Sequence, residues 1–315
     1  MADILVVGNM VADLLAKPVE EMPPRGAVQP VPHLELQSGG CGANTANALA
    51  RLGIDVAAVG MVGKDPLGDF LAEDMRSRGV DVSAVVRTDK ALTATTFVAI
   101  HADGERSFFH HYGASAHFTL EDIEERLLDG VKIVHIGGFF SMPALDGPPT
   151  AELLRAAKTK GAITCLDTAY DSRGRWMEAL APCLDYLDYF VPSLQEARAL
   201  TGMRTEREIA EFFLKYPLRA MVIKLGQGGC YLLSGGQEWR IPAFHVQCVD
   251  ATGAGDAFAA GFLAGILNGA TPQQAGRLGN AVGALAVTKV GATAGVLDMQ
   301  ATLDFMSRKE TCGAT

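Results

Sequence analysis

Short apolar runs, each followed by a stretch with helical periodicity, recur along most of the 315-residue chain and dictate an α/β fold. Ile4 to Val7, Val56 to Val62, Ile133 to Ile136, Ile163 to Leu166, Leu187 to Val191 and Met221 to Leu225 are such runs. A strand that is apolar on both faces must be covered on both, which is the situation of a mostly parallel sheet between two helix layers. The intervening helices carry their own start and stop chemistry. Asp65-Pro66 supplies an N-cap and an N1 proline, Leu67, Phe70, Leu71 and Met75 form the stripe, and Gly79 ends it. Thr205 with Glu208 reads as a capping box for the helix containing Ile209, Phe212 and Phe213. Thr271-Pro272 opens the helix that carries Asn280, and Thr119 with Asp122 opens one whose Ile123, Leu127 and Leu128 face inward.

Two stretches break the rhythm. Residues 14–37 are Pro-rich without a helix signal, and residues 92–112 alternate as two short strands around a turn at Asp103-Gly104. Together they are expected to form a small discontinuous β lid, while 1–13, 38–91 and 113–315 form the α/β domain. The other reading of these stretches is an ordinary peripheral hairpin.

Composition narrows the partners. The formal net charge is −9 and there is no long run of Lys or Arg, which argues against nucleic acid and anionic membranes. The longest apolar stretch, Ala257 to Leu267, is far short of the roughly 20 residues a membrane span needs. The N-terminus MADILVVGNM enters a strand with no basic n-region, and six scattered cysteines form no CxxC pair. A cytoplasmic protein with reduced thiols is the expectation.

The segment richest in chemistry is Asp250-Ala251-Thr252-Gly253-Ala254-Gly255-Asp256, leading into the small-residue helix AAGFLAGIL. A strand-like run through Phe244, Val246 and Cys248 precedes it. Gly253 and Gly255 let the backbone turn tightly and present successive N–H groups at a helix N-terminus, an anion site. Asp256 beside it could accept a hydrogen bond from a hydroxyl and aim it at a phosphoryl group, or could simply cap the helix. A second turn, Ser38-Gly39-Gly40-Cys41-Gly42-Ala43-Asn44, precedes another helix and offers close backbone approach to a ligand. Asp13 follows the first strand, where ligands gather in open α/β sheets. No GxxxxGK[ST] and no GxGxxG after the first strand occur, which counts against P-loop enzymes and dinucleotide oxidoreductases.

With SGGCGANTANALARLG and DATGAGDAFAAGFL in that order, the chain resembles the ribokinase-like, or PfkB, family of carbohydrate kinases over essentially its whole length. The resemblance implies a three-layer α/β domain, a β lid and an ATP-dependent transfer to a hydroxyl. It implies Asp256 as base, with the amides of Gly253, Ala254, Gly255 and Asp256 as anion hole. The acceptor would lie against Asp13, Gly39, Gly40 and Asn44. ATP would meet Ser193, Lys224, Gly226, Gly228 and Asn280. Mg²⁺ would be linked through water to Glu196, where Ser193 replaces the Asn of the family's Asn-x-x-Glu. Asp250 and Thr252 match the region that binds a monovalent cation, K⁺, in several members, and a homodimer through the lid is common. Val11 replaces an Asn frequent in ribokinases proper, and Ala251 the more usual Thr.

The acceptor is not written in the motifs. A phosphorylated sugar would draw on Arg25 and Arg106, and a nucleoside kinase on stacking surfaces such as Phe139 and Phe140. A non-catalytic sugar or nucleotide sensor would be marked by loss of Asp256 or of the turn glycines, and all are present.

Overall fold

A computed structural model describes residues 2–102 and 105–312. The turn expected at Asp103-Gly104 lies outside the described residues. In chain order the first strands are β1 (Ile4–Gly8), β2 (Val11–Lys17), β3 (His33–Gly39), β4 (Val56–Val59), β5 (Met61–Gly63), β6 (Val86–Thr88), β7 (Thr95–Ile100) and β8 (Arg106–His111). They are followed by β9 (Ile133–Phe139), β10 (Ile163–Thr168), β11 (Tyr189–Phe190), β12 (Ala220–Lys224), β13 (Cys230–Ser234) and β14 (Gln237–Ile241). The helices are α1 (Cys41–Arg51), α2 (Pro66–Ser77), α3 (Pro148–Thr159), α4 (Trp176–Leu184) and α5 (Leu194–Thr201). After them come α6 (Glu206–Phe213), α7 (Ala254–Leu267), α8 (Pro272–Ala286) and α9 (Met299–Cys312).

Eight strands form one sheet in the order β14-β13-β12-β11-β10-β9-β1-β4, parallel except for the antiparallel β12-β13-β14 end. One apolar cluster lies on the side of α3 to α6 and includes Leu5, Val7, Phe139 and Phe190. The other lies under α1, α2, α7 and α8 and includes Ile4, Val6, Val222 and Phe262. Adjacent strand residues thus feed opposite layers, the three-layer arrangement that doubly apolar strands require. The chain passes from β1 to neighbours on either side, so a crevice opens beyond the carboxyl ends of β1 and β9.

A second sheet, β3-β2-β7-β8, stands apart from the first. It draws on both interrupting stretches but begins earlier than residue 14, at Val11, so Asp13 is a residue of this smaller sheet. Its own apolar interior is confined to Leu15, Val98 and Ile100 on one side and Ala16, Val19 and Ala99 on the other.

Local expectations and structure differ in four places. The run Val56 to Val62 breaks at Gly60 into β4 and β5, because a Cβ on Gly60 would stand 2.4 Å from the Gly8 carbonyl oxygen and the chain must slip past β1. Leu187 to Val191 contributes only Tyr189–Phe190 to the sheet. Thr119 and Asp122 do form the capping box, but the chain makes two short 3-10 turns, Leu120–Asp122 and Glu125–Leu128, with Ile123 extended between them. Ile123 and Leu128 are buried as expected, so packing rather than helix propensity sets this connection. Phe244, Val246 and Cys248 form no strand, since Pro242 has no amide to continue the ladder and the segment lines a cavity instead.

Candidate active site

Helix α7 begins where Gly253 takes a left-handed backbone, φ 69°, with no room for a side chain against Ala292. The amides at the head of a helix lack intrahelical partners and point outward. Asp256 sits in this first turn, buried at 8% exposure. Asn44 Nδ2, from the first turn of α1, donates to Asp256 Oδ2 at 2.8 Å, joining the two glycine-rich segments across 212 residues of sequence. Asn44 Oδ1 is buried without a protein partner and remains an acceptor for a ligand hydroxyl. Burial pushes the Asp256 carboxyl above the usual carboxylate range, against the pull of the Asn44 hydrogen bond and the Lys224 ammonium.

Asp13 lies on β2 opposite Thr96 of β7. Burial raises its carboxyl to about 6, with the Thr96 hydroxyl pulling it down and the nearby Asp256 adding to the rise. Gly39 is packed so closely that a Cβ there would fall 1.9 Å from Asp13 Oδ2, while Gly40 forms the left-handed entry to α1 at φ 87°. Asp13, Gly39, Gly40, Asn44 and Asp256 therefore share one end of the crevice.

Beyond Asp256 lies Lys224, at the end of β12. Its Nζ donates to Asp167 Oδ2 at 2.5 Å, and both side chains are nearly enclosed. Burial disfavours the ammonium, but Asp167, then Glu196 and Asp256, more than restore it, so Lys224 stays charged above the usual lysine range. A cavity of about 420 Å³ opens from Lys224 and Gly255 past Gly226, Phe244, Phe258 and Asn280. Gly228 is absent from its lining, where Gln227 and Gly229 stand instead. Asn280 faces the cavity while its amide nitrogen donates to the Ile241 and Pro242 carbonyls, so it also anchors the wall. Ser193 caps α5 and pairs through its backbone with Lys224 rather than lining the cavity.

Glu196 Oε2 accepts from Ser193 N at 2.8 Å and from the Thr168 hydroxyl at 3.0 Å. Asp167 Oδ1 is buried with no partner. Among the described residues no group of three or more His, Cys, Asp or Glu could cage a metal. One orphaned carboxylate oxygen beside a second acid fits a hydrated Mg²⁺ that keeps waters and phosphate oxygens as its main ligands.

The other expected cation site is filled from within. Asp250 Oδ1 accepts from Thr252 N at 2.8 Å and from Arg106 Nη2, Asp250 Oδ2 accepts from Gly291 N at 2.8 Å, and Arg106 Nη1 donates to the Thr252 hydroxyl. A K⁺ ion bound by these two side chains would have to displace the guanidinium, so as arranged they do not fit one. The same pairing removes Arg106 from the candidates for a phosphorylated acceptor, and Arg25 is exposed in the segment between β2 and β3. Phe139 and Phe140 are fully buried and packed on each other edge-on, which leaves neither face for a nucleobase.

Two site residues escaped the sequence reading. Asp167 follows the run Ile163 to Leu166, near the carboxyl end of β10 where the pairing with β9 shifts register, and an acid at that end of a strand was the available signal. Cys41 opens α1 beside Asp256, whose charge, after burial, helps push the thiol well above its ordinary range.

The chain is similar to kinases of several sugars. The 2-dehydro-3-deoxygluconokinase of Bacillus subtilis is 28% identical, with 86% of this chain and 87% of the relative covered. Fructokinase-1 of Zea mays is 32% identical, with 81% and 83% covered. The structure of Arabidopsis thaliana ribokinase complexed with ribose and ATP matches with a TM-score of 0.84 and 25% identity, covering 97% of this chain and 98% of that one. The fold and these relatives define a class, the phosphotransferases that act on an alcohol group. Within it, a family model described as pfkB family carbohydrate kinase matches residues 1–299, and the chain belongs to that family.

Proposed function

We propose that this kinase transfers the γ-phosphoryl group of ATP to a hydroxyl of an unphosphorylated sugar or sugar acid, with Asp256 as the base. The observation that carries the reading is the Asn44–Asp256 hydrogen bond. It fixes the buried Asp256 carboxylate, in the first turn of α7, at the seam between the lid-side glycines and the cavity.

The acceptor enters under the smaller sheet, with Asp13 accepting from its hydroxyls and Asn44 Oδ1 from another. Asp256 accepts the hydrogen bond of the attacking hydroxyl and takes its proton as transfer proceeds. ATP occupies the cavity between Gly226 and Asn280, its γ-phosphoryl group directed at the amides of residues 253–256. Lys224 holds positive charge beside the transferring oxygens. Mg²⁺, when bound through water by Asp167 and Glu196, neutralises phosphate charge. Such a site works by positioning and electrostatics, which is what a loose phosphoryl-transfer transition state requires.

The commitment of Arg106 and the exposure of Arg25 favour an acceptor without a phosphate, and the burial of Phe139 and Phe140 disfavours a nucleoside. ADP release from Mg·ATP is the test, measured against neutral sugars, sugar acids, sugar phosphates and nucleosides with Asp256→Asn alongside. Turnover with a sugar or sugar acid, lost in the variant, is expected. Preference for a sugar phosphate or nucleoside, or full turnover by Asp256→Asn, would overturn the reading.

A further inference from the structure

Resting on the kinase reading above, we infer that Arg106 is a positioning residue of the anion-hole turn, and that its guanidinium stands in the place of a monovalent cation. Arg106 opens β8 in the smaller sheet, and Asp250 begins the turn that leads into Gly253 and α7. The two meet across 144 residues of sequence. Their side chains are only 17% and 5% exposed, so the pair is shielded from solvent, and one carboxylate of the turn is neutralised by a residue from another sheet.

Every polar group of this turn has a stated task. Asp250 Oδ1 bends the chain by accepting from Thr252 N, and Oδ2 ties the turn to Gly291 on the 287–295 segment. Arg106 bridges Asp250 and the Thr252 hydroxyl, a two-pronged contact that fixes orientation as well as charge. Burial alone would raise the Asp250 carboxyl, yet the two amides, the Thr252 hydroxyl and Arg106 together hold it below the usual range. A buried carboxylate left without its cation is costly, and a solvent cation is then the nearest remedy.

The consequence concerns order of assembly. Asp13 and Arg106 ride on one sheet, on β2 and β8, linked through β7. The sheet that receives the acceptor therefore also completes the turn that receives the phosphoryl group. A soluble ion would neutralise Asp250 whether or not that sheet is in place, whereas Arg106 does so only when it is. The anion-hole turn is therefore complete only with the smaller sheet in place.

The test compares wild type with Arg106→Met and Arg106→Lys in buffers whose only monovalent cation is tetramethylammonium, then with K⁺ or Na⁺ added. Wild type is expected to give the same kcat in all three. Arg106→Met is expected to lose about 100-fold in kcat, the scale of a misplaced catalytic turn. K⁺ should restore part of that loss, and Arg106→Lys, which keeps the charge without the fork, should fall between. A role confined to holding the fold would show as an altered melting temperature with no rescue by K⁺, and overturns the inference. So does a wild-type enzyme activated severalfold by K⁺, or an Arg106→Met enzyme with unchanged kcat. ATP affinity by calorimetry without acceptor separates this inference from the parent reading. If no acceptor on the panel is turned over, the kinase assignment of the acceptor fails. ATP binding that is cation-indifferent in wild type and K⁺-responsive in Arg106→Met still supports the role of Arg106, and cation-responsive binding in wild type removes it.

Discussion

The α7 turn and the smaller sheet face each other across one site but are built on opposite plans. Behind the turn, α7 and α8 pack through glycine and alanine. A Cβ on Gly261 would stand 2.9 Å from the Gly279 Cα, and one on Gly265 2.9 Å from the Ala275 Cα. Across the crevice, β8 leaves Phe108 and Phe109 at 60% and 54% exposure, and the sheet's interior is a few side chains on each face. The proposed phosphoryl end is thus backed by helices whose packing tolerates little change, whereas the outer face of the smaller sheet tolerates much. The relatives fit that division, being similar to this chain over most of their length while carrying the names of different sugars.

The hardest blow to this contrast comes from Asp256→Asn, which keeps the shape of the turn and removes the proposed base. A loss of about 10³-fold in kcat, within the usual 10²–10⁴ span for a general base, is expected in steady-state assays. Retention of ATP affinity in the same variant would place the loss in chemistry rather than in the nucleotide cavity. Asp13→Asn should act on the other partner. Weakened charged hydrogen bonds to hydroxyls predict roughly a 10–100-fold rise in acceptor KM with a smaller change in kcat.

Acidity tests the same pair. Burial raises both carboxyls above their ordinary range, Asp13 to about 6; in the proposed roles Asp256 must be ionised to take the hydroxyl proton and Asp13 to accept charged hydrogen bonds from hydroxyls. Activity, measured as kcat/KM for the acceptor, is therefore expected to fall as pH drops through about 6, the value to which burial raises Asp13. A profile flat from pH 5 to 8 would show that neither group gates binding.

Smaller effects probe the packing. Gly261→Val forces a branched side chain between α7 and α8 and should cost about 1–3 kcal/mol in denaturant unfolding, an overpacking penalty. Phe108→Ser on β8 should leave stability within about 0.5 kcal/mol, as for surface positions generally. If Phe108→Ser were the more damaging of the two, the contrast between the halves would collapse.

What could be read from the chain follows the same line. The capping box at Thr205, the helix start at Thr271-Pro272, the proline-started α2 and the buried strands were visible because each depends on neighbours within a few residues. So was the α7 turn, whose glycines and acid are contiguous. Asp167 and Cys41 were not, since each is a single residue without a pattern, made meaningful only by Lys224 and Asp256 arriving from elsewhere. The alternation at Phe244, Val246 and Cys248 misled because a pocket wall and a strand can share a period of two. The Arg106–Asp250 contact had no sequence signal, as one partner lies on β8 of the smaller sheet and the other in the loop before α7.

The smaller sheet is sewn from two lengths of chain, with Ala12 of β2 registered beside Thr95 of β7. Between these seams run α1, β4, β5, α2 and β6, none of them part of this sheet. No single cut-and-paste event can therefore exchange this sheet for another, because a transplanted segment would bring only half of it or drag the intervening body along. Diversification of the acceptor in such an architecture proceeds by substitution in place, one side chain at a time, rather than by recombination of cassettes. For an engineer the lesson is practical, in that libraries should be split between residues 11–39 and 95–111 and screened together.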